Sequence, residues 1–466
     1  MTDRTTPRIL IVDLVGLAIG PDGLPDHSAV KAHVEARGGV FHEGSARAMP
    51  TPEPGRAHFY YQPMLSTEAE LLAEAGDGLY DAVIAAATFL PKGMRFDLGG
   101  VRIGTGTGNM GSASWGGGDG QGGIAPLMNT PGINARATAQ MVMKALLRVR
   151  PDLPVDEMNA LVAAGRFDTG TDLIRFPTAK LEGRTFAVIG YGNIGREVAK
   201  LARAFGMTVR IFARPRHRVW IESEGFVYAA SPLEAAADAD VLSVHVGLGS
   251  LGPKGHANAG LIGAKVLSAL AEGAVLINYD RGELVDIPAL AAALSSGRVS
   301  HAAIDADLFC DASSGALSGP MAPYLSLLSE HGARLSLLPH AAADTDHPTR
   351  VVGAMQAVNQ ILDAIERRVV RNLRGDLPEG YTDAGARTPA GLGGVTAGHL
   401  EELRCDKAQM EALHTAAQGV LLALDRLASE GVRTAGSNLL LKSNILATLL
   451  RAQSLEGPFY GLSETE

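Results

Sequence analysis

The chain has 466 residues, 41 Lys and Arg against 50 Asp and Glu for a net charge of −9, 46% apolar residues and 5% aromatics. That length suits two or three domains with large cores, and the composition excludes disordered, fibrous and membrane-spanning classes. The acidic balance and scarce aromatics argue against nucleic acid or an anionic membrane as partner, while Cys310 and Cys405, the two cysteines, can form neither a disulfide framework nor a cysteine zinc site.

In chain order, Arg8-Ile9-Leu10-Ile11-Val12-Asp13 is a short apolar run of the kind that makes a buried parallel strand. It is too short and wrongly flanked for a signal peptide, so a reducing cytoplasm is the expected compartment. Helical patterns follow at Ser28 to Ala36 and at Thr67 to Ala75, where Thr67 and Glu70 stand at capping-box spacing. Val40-Phe41 and Tyr80 to Ala86 read as strands. This βα alternation implies a parallel sheet covered by helices on both faces. Glycine is the outlier, 56 of 466 residues or about 12% against the usual ~7%, and it crowds the stretch from Gly99 to Gly123.

After a Pro131-Gly132 turn, Met141 to Val149 reads as a helix. A second α/β series then begins, with strands expected at Thr185–Ile189, Thr208–Phe212, Val241–Val246, Ala274–Tyr279, Ala302–Asp305 and Arg334–Leu338, and a long helix at Pro348 to Arg368. Residues 374–395 are rich in Gly, Pro, Asp and Thr and read as a linker. Residues 397–453 carry leucines at helical spacing and form a helical appendix.

Gly190-Tyr191-Gly192-Asn193-Ile194-Gly195 ends one predicted strand and opens a helix. In that context the first glycine permits a tight turn, the second lets backbone approach a pyrophosphate, and the third lets helix pack on strand. The helix N-terminus adds free N–H groups and positive partial charge. The next strand ends at Ala213, where an acid would accept the ribose 2′-OH of NAD. Here Arg214, Arg216 and Arg218 follow instead, so the expected cofactor is NADP in preference to NAD.

From about residue 80 to 372 the sequence resembles the D-2-hydroxyacid dehydrogenase family, most strongly from Leu181 to His340, and in motif wording it is nearest to D-3-phosphoglycerate dehydrogenases. The matching segments are Asn134 to Gln140, Gly190 to Gly195, Gly263-Ala264-Lys265, Ala303-Ile304-Asp305, Leu338-Pro339-His340 and, most specifically, Ile277-Asn278-Tyr279-Asp280-Arg281-Gly282-Glu283-Leu284-Val285-Asp286-Ile287-Pro288-Ala289-Leu290. The resemblance implies two doubly wound α/β lobes. Residues 1–135 and 345–375 would form a flavodoxin-like substrate lobe, residues 136–344 an inserted Rossmann nucleotide lobe, and residues 376–466 the linker and helical appendix. It further implies hydride transfer between nicotinamide and a small anionic 2-oxo or 2-hydroxy acid. Arg281 would hold carboxylate and carbonyl, His340 would be the general acid/base, Asp305 would hold the nicotinamide carboxamide, and His245 would lie near the cofactor. A homodimer without a metal is expected. Formate- or phosphite-type oxyanion dehydrogenases, and non-catalytic dinucleotide-sensing relatives, are the alternatives.

The residues also support this chemistry directly. Reducing a 2-oxo acid needs a cation for the carboxylate, a proton donor and a hydride source. Arg281, just beyond a strand, can grip a carboxylate bidentately, and His340, ending the last strand, titrates near working pH. Two departures stand out. The family Glu that partners the catalytic histidine is replaced by Cys310, followed by Asp311: either Asp311 is the candidate partner or the histidine lacks a carboxylate partner. The phosphate-facing arginine of phosphoglycerate dehydrogenases is missing after the strand that reads Val83 to Thr88. By the same resemblance the substrate carboxylate is expected on the backbone of Gly108, Asn109, Met110 and Gly111, a nest of donors suited to an anion, and Arg136 would face the cleft as a second cation. Residues 112–123 are expected to be a surface loop or lid.

Overall fold

A computed structural model describes residues 6–14, 17–21, 23–49, 53–116, 123–149, 154–253, 255–311, 314–340 and 346–385. They fall into two compact units. One takes the chain up to Ala137 and again the stretch between Ala343 and Pro389; the other runs from Thr138 to Ala342. The leucine-patterned stretch 397–453 and Cys405 lie outside the described residues.

In the first unit the chain alternates β1 (Arg8–Ile11), α1 (Ser28–Ala36), β2 (Val40–Glu43), β3 (His58–Tyr61), α2 (Glu68–Ala75), β4 (Ala82–Ala85), β5 (Gly99–Arg102) and β6 (Leu127–Asn129). The strands pair in parallel in the order β2-β3-β1-β4-β5-β6, and Leu373–Arg374 adds an antiparallel edge strand beside β6. One core lies on each face of the sheet, as a doubly wound architecture requires. Thr67 and Glu70 do form the capping box of α2. The 21-residue helix His347–Arg367 is capped by Asp346, has Pro348 in its first turn, and buries Ala354, Ala357, Val358, Ile361 and Leu362 against this sheet. The order reverses between β1 and β4. There Asp13, just past β1, accepts hydrogen bonds from the backbone N–H groups of Ala86, Ala87 and Thr88 and from the Thr88 hydroxyl. A carboxylate so held ties the two strand ends together.

Part of the glycine excess has a packing cause. β5 begins with Gly99 and Gly100, the first of the glycine-crowded stretch, and a Cβ on Gly100 would run into the Trp115 ring. Trp115 stacks on Phe96 at 6.0 Å and donates from Nε1 to Met110 O at 2.8 Å. Ser112 and Ser114 are buried as well, bonded to Met94 O and Phe96 O. The start of the expected surface loop or lid is therefore core, and residues 117–122 lie outside the described residues. The expected linker also begins later than its composition suggests. Leu373–Arg374 pairs with β6, and Thr382–Asp383 pairs with Val369–Val370.

In the second unit, β7 (Thr185–Ile189), β8 (Thr208–Phe212), β9 (Val227–Ala229), β10 (Val241–Val244), β11 (Ala274–Asn278), β12 (Val299–Ala306) and β13 (Leu335–Pro339) form a parallel sheet. Their order is β13-β12-β11-β10-β7-β8-β9, so the sheet reverses direction between β7 and β10. The strand interiors are almost wholly apolar, as two-sided burial demands. Among the helices, α3 (Ala135–Val149) starts six residues before the expected Met141 and buries Val142, Leu146 and Val149 against Phe186 and Val188. α4 (Val155–Ala163) buries none of its residues, and α5 (Asn193–Ala204) follows β7 directly. Trp220 is buried in the same core as Phe186. Among the described residues no helix is long and apolar enough to cross a membrane.

Candidate active site

Three adjacent parallel strands of the second unit, β11, β12 and β13, end on one edge of the sheet, and their ends carry the reactive side chains. Arg281 follows β11, Asp305 is near the end of β12, and His340 follows β13. The register pairs Asp305 with Leu338 and Ala306 with Pro339, and His340 N–H donates to Ala306 O at 3.0 Å. The imidazole therefore meets the carboxylate across the ladder, with His340 Nδ1 to Asp305 Oδ1 at 2.6 Å. On its other side Arg281 Nη1 donates to His340 Nε2 at 3.1 Å. An Arg donor on Nε2 leaves the ring proton on Nδ1, facing Asp305.

Asp305, not the expected Asp311, partners His340. Asp311 closes an exposed turn, its Oδ1 accepting from Ser314 N at 2.7 Å and Ser314 Oγ at 2.8 Å. For the same reason the Asp305 carboxylate, expected on the nicotinamide carboxamide, is engaged by the imidazole. Burial pulls the His340 pKa down, but the hydrogen bond and charge of Asp305 outweigh it and leave the ring above its ordinary 6.5, with Arg281 acting against. Deep burial of Asp305 strengthens that pairing.

The turn that carries Arg281 is fixed from three sides. Asn278 Nδ2 donates to Arg281 O at 2.8 Å, Asn278 Oδ1 accepts from Asp280 N at 3.3 Å, and Tyr324 Oη donates to Gly282 O at 2.6 Å. A Cβ on Gly282 would lie 2.9 Å from Ala306 Cβ. Asp286, also in the most specific motif, caps the next helix by accepting from Ala289 N at 2.8 Å. Much of that motif is thus the scaffold for one arginine.

Asp280 is a group whose importance the sequence reading did not single out, although it directly precedes Arg281. Burial pushes its carboxyl up to about 7 from 3.8; Arg281 and His340 pull against this and Asp305 adds to it. The folded protein keeps a proton there that the unfolded chain releases, so stability falls as pH rises through that interval. Asp280→Asn should remove the loss. Its melting temperature relative to the native protein should climb between about pH 4 and about pH 7, and a constant difference would refute the assignment.

The fingerprint glycines form a second cluster at the point where the strand order reverses. Gly190 has φ +113°, a conformation open to glycine, and a Cβ there would run into His245 O. A Cβ on Gly195 would strike Gly190 O, whereas Gly192 faces open space. Gly192 is the N-cap of α5 and Asn193 and Ile194 its first residues, with no side chain capping its N–H groups. An exposed cradle of backbone donors at a helix N-terminus fits a dinucleotide pyrophosphate. His245 is buried, bonded through Nε2 to Ser243 Oγ at 2.8 Å, and pushed down to about 3 by burial. Among the described residues its Nδ1 has no hydrogen-bond partner. Beyond β8, Ala213 is buried while Arg214 and Arg216 are exposed.

Gly108–Gly111 and Arg136 belong to the first unit. Met110 N donates to Thr107 O and Gly111 N to Leu90 O, while the Asn109 side chain donates to Ala86 O and Thr88 O. Two of the four N–H groups expected to bind an anion are thus engaged internally, and those of Gly108 and Asn109 have no partner among the described residues. Arg136 is exposed near the start of α3. Among the described residues no cluster of His, Cys, Asp and Glu could hold a metal ion.

A β7–α5 cradle and a strand-end Arg, Asp and His are the groups that a nicotinamide-dependent oxidoreductase would need. Residues 153–309 match the family described as D-isomer specific 2-hydroxyacid dehydrogenase, NAD binding domain. Glyoxylate reductase of Aeropyrum pernix is 30% identical over 53% of this chain and 68% of its own. D-3-phosphoglycerate dehydrogenase of Escherichia coli is 32% identical over 39% of this chain but only 40% of its own length. The solved structure of NAD+-bound 3-phosphoglycerate dehydrogenase from Entamoeba histolytica shares the fold, with a TM-score of 0.52 at 16% identity over 80% of this chain and 99% of that one. The chain belongs to the D-isomer specific 2-hydroxyacid dehydrogenase family, oxidoreductases that act on 2-hydroxy and 2-oxo acids.

Proposed function

We propose that the protein is an NADP-preferring reductase of a small anionic 2-oxo acid, acting equally as a dehydrogenase of the 2-hydroxy acid. The observation that carries this reading is the His340 ring held between the Asp305 carboxylate and the Arg281 guanidinium. When bound, the nicotinamide supplies or accepts the hydride. An incoming carboxylate takes the Arg281 fork, which frees His340 Nε2. The ring, its charged form favoured by Asp305, then carries a proton at Nε2 and gives it to the oxygen that becomes the hydroxyl. Arg281 polarises the carbonyl in the same step. In the first unit, the N–H groups of Gly108 and Asn109, without a partner among the described residues, and the Arg136 cation are proposed as anion-binding groups, which would make that unit the substrate lobe. Turnover of a panel of small 2-oxo acids with NADPH tests the proposal. Dinucleotide binding without any turnover would point to a sensing role instead.

The cofactor preference is supported by Arg214 and Arg216, which stand exposed beyond β8 where an acid would favour NAD. NADPH should bind at least about tenfold tighter than NADH, and Arg214→Ala with Arg216→Ala should abolish the difference in a fluorescence titration.

A homodimer is supported by α4 and the segment after it. Val162 is 61% and Ile174 88% exposed, and α4 contributes nothing to the described cores. Val162→Asp with Ile174→Asp should convert a dimer to a monomer by light scattering; an unchanged mass would refute this surface. The exposed free thiol of Cys310 suits a reducing compartment, and the cytoplasm is the proposed location.

A further inference from the structure

The turn beyond β8 holds a histidine, His217, with no part in the site described above. Pro215–His217 is a single helical turn, and its half-buried His217 lies edge-on to the Tyr191 ring with centroids 6.1 Å apart. Tyr191 is the second residue of the pyrophosphate turn, so this contact fixes the imidazole beside the cofactor cradle. The other face of the Tyr191 environment is basic: the Arg196 guanidinium sits 4.9 Å from the same ring. Arg216 Nε donates to His217 Nε2 at 3.4 Å.

We infer that His217 is a third ligand of the coenzyme 2′-phosphate, beside Arg214 and Arg216, and that the phosphate brings a proton onto its ring. This rests on the NADP reading above. The charges acting on His217 come from Arg214 and Arg216 on its own turn and from Arg196 on α5, and the neighbouring Tyr191 contributes a ring edge. Arg218, next in the chain, is turned away to Glu222 Oε1 at 2.9 Å and to the Tyr228 ring. Burial first, and these arginines after it, push the imidazole down to about 4, so the ring is neutral in the free protein.

The arginines around this neutral ring make the site one that favours an anion. A dianionic phosphate monoester reverses the local field, since its charge favours the imidazolium that the arginines oppose. Arg216 then exchanges its weak bond to Nε2 for phosphate oxygen. Both ring nitrogens become donors, and one reaches the phosphate. NADH, with a 2′-hydroxyl in that place, supplies no charge to hold the proton. His217 would therefore discriminate between the coenzymes through proton linkage as well as through a hydrogen bond.

The test titrates the full-length protein calorimetrically with adenosine 2′,5′-bisphosphate and with AMP, near pH 7, in two buffers of different ionisation heat. Relative to His217→Asn, the native protein should take up about one extra proton with the bisphosphate and none with AMP. His217→Asn should lose about tenfold in bisphosphate affinity and nothing in AMP affinity. His217→Lys, a permanent cation, should recover the affinity without the proton uptake. The inference is overturned if His217→Asn matches the native protein in affinity and uptake, or weakens both probes equally, which would put the ring on the adenine. If the native protein binds both probes alike and the double arginine replacement changes nothing, the NADP reading itself fails. Loss of preference in the arginine variant with His217→Asn unaffected would reject this inference alone.

Discussion

Asp305→Asn should lower kcat/KM by about a hundredfold and move the pH dependence of reduction toward acid. Reduction needs the protonated His340 ring. In the native protein Asp305 holds that form above the ordinary 6.5 against the opposing effect of burial. Without the carboxylate, burial and the Arg281 charge both act against the imidazolium. The ring loses its proton at lower pH, and the high-pH limb of the reduction profile follows it down. Oxidation, which needs the neutral ring, should keep its activity to lower pH by the same shift. NADPH binding, followed by fluorescence, should be unchanged, because the cradle at Gly190 to Gly195 is built from other strands. An Asp305→Asn enzyme with an unmoved pH profile would show that the carboxylate does not act through His340. Asp311→Asn serves as the contrast: its carboxylate holds Ser314, so the variant should retain both rate and profile.

Arg281→Ala should be more damaging, lowering kcat/KM by about three to four orders of magnitude, because one side chain is asked both to bind the carboxylate and to polarise the carbonyl. Arg281→Lys keeps the charge but loses the fork, and should recover only part of the activity, with a raised KM. The residual activity of Arg281→Ala carries a diagnostic sign. The Arg281 charge works against protonation of His340, so its removal should move the reduction profile toward base. Asp305→Asn and Arg281→Ala should thus shift the same limb in opposite directions. Shifts in one direction would break the geometry proposed for the site. The scaffold around Arg281 makes folding of the variant a fair expectation, since Asn278 and Tyr324 hold the turn through backbone oxygens.

Much of the second unit was legible in the sequence because its signals are local. The fingerprint sits between a β-rich run and a helix; Gly190 and Gly195 answer to contacts with the neighbouring chain and within the turn, and Gly192 faces open space. The Thr67–Glu70 cap was legible for the same reason. What the sequence could not show depends on register. Asp305 and Asp311 stand six residues apart, and only the pairing of β12 with β13 decides which meets His340. The anion loop misled in a similar way: its glycines suggested free N–H groups, but the bonds of Met110 and Gly111 lead to residues outside the run. The short strands β3, β5, β6 and β9 were missed because, unlike β1, β4 and β10, they carry no run of branched aliphatic residues, and in β5 glycine takes that place to admit Trp115.

That tryptophan has a practical meaning. The protein has two, Trp115 and Trp220, and each is buried in the core of a different unit. Each unit therefore carries its own intrinsic chromophore, set in apolar surroundings that change when that unit opens. Trp115→Phe leaves a reporter in the unit of the dinucleotide cradle, and Trp220→Phe leaves one in the unit of β1 to β6. Emission from the two single-tryptophan proteins separates the denaturation of one half of the molecule from that of the other, without an added label.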